Sequence, residues 1–164
     1  MGLTQIISDN VRPAMAVNIA ALKDELRQQG HYDTGQLDKS LRFDIQLEPF
    51  KVTANVYGAG QMDFLETGTR PRKVTGGQVR ALTAWFGRKG LNAKEARSAA
   101  WATAITQVRQ GNPTLGSYRF SKNGRRKAAI RYAVAESQKQ FTEALMKGLT
   151  PDISKMVKNI FTKP

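Results

Sequence analysis

The sequence predicts an α+β fold: a small antiparallel sheet packed against a long N-terminal helix and C-terminal helices. Three observations carry this reading. An apolar stripe with helical spacing runs from about residue 5 to Gln29, two adjacent heptapeptides alternate apolar and polar, and further helical patterns are bounded by cap residues and glycines.

In the first segment Ile7, Val11, Met15, Ile19, Leu22 and Leu26 recur three or four residues apart, and Gly30 suits the C-cap. Pro13 lacks an N–H and its ring clashes with the preceding turn. The N-cap is therefore expected at Ser8, Asp9 or Asn10, with Pro13 in the first turn. In "HYDTGQLDKSL" that follows, Asp33, Thr34 and Gly35 form a polar turn. Asp33 is expected to accept backbone N–H groups, and Gly35 to tolerate positive φ. "RFDIQLE" and "KVTANVY" each alternate, with only Pro49 and Phe50 between them, which predicts an antiparallel hairpin.

"MDFLE" fits a short strand or one helical turn. A helix is expected from about Gly77 to Arg88, with Val79, Leu82, Trp85 and Phe86 on its apolar side. Asn92 then caps a second helix, with Glu95 three residues on as in a capping box. Ala100, Trp101, Ala104, Ile105 and Val108 are its expected buried face, and Gly111, Asn112 and Pro113 stop it. "SYRFS" suits another short strand and "KNGRRK" a basic turn. A long helix is expected from about Lys127 to Lys147, with Ile130, Val134, Phe141 and Leu145 on one face and Gly148 at its end. Thr150 and Pro151 would open a last helix. The chain thus divides into one unit over 1–148 and a helical extension over 149–164. The extension's narrow stripe, Ile153, Met156, Val157 and Ile160, does not hold a free helix and is expected to pack on an adjacent subunit or a neighbouring assembly, with docking on its own domain as the alternative.

The 164 residues fit one domain. There is no cysteine, which excludes disulfides, thiolate metal sites and cysteine nucleophiles, and the single histidine, His31, excludes a two-histidine metal site within one chain. No apolar run approaches the roughly 20 residues of a membrane span. "MGLTQIISDN" has neither a basic n-region nor an apolar h-region, so no signal peptide is expected. A net charge of +13 favours contact with polyanions, though a basic domain without a specific target carries the same sign.

Catalytic motifs are scarce. There is no Walker-type loop and no G-x-S-x-G elbow, and "YGAGQMD" lacks the third glycine of a dinucleotide site. Asp-Thr-Gly is also the tripeptide of aspartic proteases, but those sites need two carboxylates sharing a proton, and this chain has one copy at a helix end. Asp63 and Glu66 lie three residues apart without a histidine or metal cluster, so capping or ion-pairing acids are the plainer reading. No enzyme activity, cofactor or metal is expected. Two basic runs, Arg70, Arg72 and Lys73, then Lys122, Arg125, Arg126 and Lys127, suit DNA phosphates or an acidic partner. Tyr118 and Phe120 nearby suit base stacking or a strand face.

In order, "DTGQLDKSL", two strands, "FLETGT", a basic loop, "LTAWFGRKGL", "EARSAAWATAITQVRQGNP" and a long final helix resemble the tail-completion, or neck, family of tailed bacteriophages. That family is also described as head–tail joining or minor tail proteins. The resemblance covers about residues 12–148. It departs at Gln61-Met62, at "GSYRFSKNGRRKA" and in the added segment 150–164. It implies a ring-forming protomer at the head–tail junction, expected to be six-fold. Its partners would be the portal or head-completion connector and the tail tube or terminator protein, with DNA passing through and touched without sequence preference. The protein would reside in the virion neck, after assembly in the host bacterial cytoplasm. Asp33, Thr34 and Gly35, with Glu66, Gly68 and Thr69, would be structural turns, the first of them orienting the leading helix on the sheet with Leu37 and Leu41 as anchors. A sequence-independent DNA-binding accessory protein is the alternative that the charge suggests.

Overall fold

The structure, a computed structural model, describes residues 3–49 and 51–161, without the side chains of Leu3, Met156, Val157, Asn159, Ile160 and Phe161. In chain order it comprises α1 (Leu3–Gln28), α2 (Gln36–Ser40), β1 (Arg42–Glu48), β2 (Lys51–Tyr57), α3 (Met62–Thr67), α4 (Gly76–Arg88), α5 (Ala93–Gln110), a 3-10 helix (Leu115–Phe120) and α6 (Ala129–Phe161). The architecture is α+β, with a long N-terminal helix and one two-stranded antiparallel sheet.

The body is built on α1 and α6, which run antiparallel along each other. Gln29 Nε2 donates to the Lys127 carbonyl at 3.1 Å, Ser137 Oγ lies 2.8 Å from Asn18 Oδ1, and Asn10 Nδ2 donates to Asp152 at 3.1 Å. Leu22 and Leu26 of α1 bury against Leu41, Met62, Ala129 and Ala133, with Ile19, Leu37 and Leu65 around them. Each such large side chain contributes roughly 1.5–3 kcal/mol on leaving water. The hairpin pairs Arg42 with Tyr57 through to Glu48 with Lys51, as the alternation predicts, and packs against α1.

Four expectations are corrected here. The α1 helix is formed from Leu3 and passes through Pro13. Pro13 is exposed, as is Asp9, whose carbonyl loses its partner, while Ile6 and Ser8 in the turns before it are buried. Likewise α6 is one helix through Gly148 and Pro151, rather than two separated by a stop. Third, α6 meets α1 through Ala129, Ala133 and Ser137, whereas Ile130 and Val134 are 38% and 51% exposed. Two closely packed helices need small side chains at the seam, and these residues lie one position away from the larger ones. Fourth, "SYRFS" lies in a 3-10 helix and its C-cap and not in a strand. "MDFLE", open between strand and helix, is helical.

Gly148 is part of the seam. The Asn10 side chain occupies the place a Cβ at Gly148 would take, and its amide donates to the Ile6 carbonyl at 2.9 Å as well as to Asp152. In an open helix Gly→Ala gains up to about 1 kcal/mol. Here Gly148→Ala is expected to lose roughly 1–3 kcal/mol through overpacking. Urea unfolding of the two proteins checks the sign.

Candidate functional site

The "DTG" turn is a joint between three helices. Gly35, at φ 73°, starts α2, and the chain then places half-buried Leu37 and buried Leu41 in the core. A left-handed conformation there favours glycine, as the sequence predicts. Asp33 does not cap backbone N–H groups. It accepts the Arg88 guanidinium from the end of α4, with Nε at 3.1 Å and Nη2 closer still. That hydrogen bond holds the Asp33 carboxyl below the usual carboxylate range. Asp38, in the α2 helix that follows, is bound by Arg27 at 2.8 Å. A cleft of about 420 Å³ opens here between His31 and Leu37 on one side and Gln61 and Arg88 on the other. With each carboxylate tied to its own guanidinium, the pair has no geometry for sharing a proton.

His31 sits against Gln29, its Nε2 3.2 Å from Gln29 Oε1. Burial, with the Arg126 charge second, lowers its pKa from 6.5 to about 4. The folded state therefore prefers the neutral ring. The stability this contributes is complete above about pH 6.5 and is lost as pH falls toward 4. The loss is on the order of 2 kcal/mol. Unfolding free energies at pH 7 and pH 4.5 are expected to differ by about that much less in His31→Asn than in the parent.

Below the joint lies a buried polar network. Glu25, with its side chain 1% exposed, accepts from Gln29 Nε2 at 2.7 Å and from Asn123 Nδ2 at 3.0 and 3.1 Å, and Arg125 lies 3.8 Å away. Arg125 also pairs with Glu136 at 2.7 Å and stacks over Tyr132. Arg126 donates to the Gln29 carbonyl, and burial lowers its pKa. Two of the seven cations assigned to DNA or an acidic partner thus anchor the 121–128 loop to α1. Arg70, Arg72, Lys73, Lys122 and Lys127 form no ion pair among the described residues.

Glu66 caps α6: its Oε2 accepts the Ile130 N–H at 2.8 Å, and its carbonyl accepts that of Ala128 at 3.0 Å. Just beyond, the chain makes a clamp. Thr69 N–H donates to the Asn112 carbonyl at 2.7 Å, and Asn112 N–H returns to Thr69 at 3.1 Å. Gly68 (φ 77°, ψ −176°) and Gly111 (φ 78°, ψ −166°) precede the two bridged residues, both in a conformation essentially reserved for glycine. Everything from Arg70 to Gln110 leaves and returns through this bridge. It forms an arm, α4 packed on α5 around Val79, Ala100 and Ala104 with Leu82 and Phe86. Thr75 caps α4, and Asn92 and Glu95 form the expected capping box on α5. The seam is again small: Ala96, Ala100 and Ala104 are buried, whereas Trp101 and Ile105, expected inside, are 45% and 47% exposed.

The arm and the loop after it also hold the charge. Residues 68–128 contain fourteen of the 26 basic residues and one of the 13 acids, Glu95, so the whole +13 falls there and the rest of the chain carries twelve of each. This asymmetry is present in the sequence, but attention to short basic runs misses Arg80, Arg97, Arg109 and Arg119. Of the C-terminal stripe, Ile153 is 40% exposed, and the Met156, Val157 and Ile160 side chains lie outside the described residues. Among the described residues, no group of acids and histidine is placed to hold a metal ion, and no helix is long and apolar enough to cross a membrane. Comparison with protein-family models, curated proteins and solved structures finds no match to this chain.

Proposed function

We propose that this chain is a structural subunit of a tailed-phage neck, acting by binding rather than catalysis in a ring that joins the head connector to the tail. The observation that carries the reading is the use made of its polar motifs. "DTG", "ETGT" and "GNP" are far apart in sequence, yet each serves as a joint: Gly35 turns α1 onto the sheet, Glu66 caps α6, and Thr69 with Asn112 clamps the arm. Polar residues spent on joints suit a scaffold whose task is to hold surfaces in fixed relation.

Those surfaces are available. The two-stranded sheet has both edges unpaired among the described residues, and Leu47 and Val56 are each 47% exposed on it. A pair of strands in this state is a template for another chain. Trp101 and Ile105, four residues apart, give the arm a second apolar face, and Trp is prominent among residues that anchor interfaces. Two different faces suit the head-to-tail contacts from which closed rings are built, six-fold in this proposal.

Deleting the gene from its phage tests the role. Filled heads and finished tails should accumulate unjoined, and supplying the protein should restore infectivity. Normal virions from the deletion would exclude it. The charge of residues 68–128 favours a second reading, a sequence-independent DNA-binding accessory protein, for which the deletion would impair packaging or DNA handling while leaving joined particles.

A further inference from the structure

We propose that the clamped end of the arm is a binding surface for the phosphate backbone of double-stranded DNA, read without regard to sequence. The inference goes beyond the ring and stands without it. The Thr69–Asn112 bridge and the 2.6 Å hydrogen bond between Gln78 and Gln107 bring the start of α4 beside the end of α5. They bring together at one end the cations of three elements, Arg70, Arg72 and Lys73 of the entering loop, Arg80 of α4 and Arg109 of α5, and Arg119 of the 3-10 helix follows seven residues after Asn112 in the chain. All six are exposed, and none forms an ion pair among the described residues.

Among the described residues no carboxylate lies within ion-pair distance of any of them. Glu95, the segment's one acid, lies at the opposite end of α5 and is engaged in its capping box. Glu66, the acid nearest the bridge in sequence, accepts the Ile130 N–H. Bringing like charges together without ion-paired partners costs self-repulsion, which an external polyanion relieves. The cations are spread over a loop, two helices and a 3-10 turn, so they suit a polymer of regular charge. Contacts from such cations to phosphates position a protein on a duplex without reading its bases.

Fluorescence anisotropy on the full chain tests this with two unrelated labelled 30-base-pair duplexes across 50–250 mM KCl. If most of the six meet phosphates, log K should fall against log salt with a slope near −4 to −5. The two sequences should agree within about twofold. Arg72→Glu with Arg109→Glu should weaken binding at least about tenfold at low salt and flatten the slope. Lys139→Glu with Lys147→Glu on α6, the same change in net charge away from the arm, should weaken it less than about threefold. Melting curves establish that both variants fold, and Arg72→Gln with Arg109→Gln replaces the first pair if it does not. The proposal is overturned by no binding at 50 mM salt, by equal losses in the arm and α6 variants, or by polyglutamate competing as well as DNA per unit charge. The last result would identify an acidic protein as the ligand. A phage with unjoined heads and tails but no DNA affinity in this protein would leave the ring standing and remove the DNA surface.

Discussion

Gly111→Ala is expected to cost at least ~3 kcal/mol, the largest effect of any single methyl group in the chain. Two terms combine. The backbone of Gly111 has φ 78° and ψ −166°, where an L side chain adds strain of roughly 1–3 kcal/mol. The added Cβ would also meet the Thr69 carbonyl at less than contact distance, and this neighbour is backbone held by the bridge, not a side chain that can swing away. Relief requires breaking the Thr69–Asn112 pair, and with it the attachment of the arm. Gly90→Ala separates the terms, because Gly90 has φ 97° but open space around the Cβ position, so only strain of ~1 kcal/mol is expected. Gly60→Ala, with neither positive φ nor a neighbour, should be neutral or slightly stabilising. Urea midpoints of the three variants check the order. If the Gly111 variant folds, hydrogen exchange should rise in α4 and α5 before it rises in α1 and α6.

Glu25→Ala is expected to cost about 3–5 kcal/mol, by removing the carboxylate around which the 121–128 loop is organised. The substitution leaves the Gln29 and Asn123 amides without their acceptor and Arg125 with Glu136 alone. Unsatisfied buried donors account for most of the penalty, since each forfeits its hydration without recompense. Glu25→Gln keeps an acceptor oxygen of the same reach and should lose less than half as much. By contrast, Asp33→Asn touches an exposed ion pair with Arg88 and should change stability by well under 1 kcal/mol. A Glu25→Ala protein as stable as the parent would show that the loop is held by packing and not by this network.

Local signals were legible where local physics decides the outcome. The alternation in "RFDIQLE" and "KVTANVY" fixes which side chains share a face, and the hairpin register follows. Asn92 and Glu95 satisfy the first N–H groups of α5 within their own turn, so the cap is visible in four residues. Gly35 is similar, because the need for positive φ arises from the turn alone. The missed features depend on partners distant in sequence. Ala129, Ala133 and Ser137 outcompete Ile130 and Val134 at the seam because α1 lies close, and closeness favours small side chains that an apolar pattern ranks low. Ala100 and Ala104 displace Trp101 and Ile105 in the same way. Pro13 does not end α1, whose other face buries Ile6, Ala14 and Met15, and just past Pro151 the Asp152 carboxylate of α6 accepts from Asn10 of α1. Arg125 and Arg126 read as solvent-facing cations until the fold brings Glu25, Glu136 and the Gln29 carbonyl to them. Of the candidate surface, the cations themselves are plain in the sequence, but their gathering at one end is set by the Thr69–Asn112 bridge across 43 residues.

The proposed role at the neck is tested most directly by a three-dimensional reconstruction of the virion that encodes the chain. The expected result is a closed ring of copies at the head–tail junction, with subunits in contact through the edges of β1 or β2 or the Trp101 face of the arm. Particles that are complete and infectious yet carry no density for this chain at the junction would contradict it.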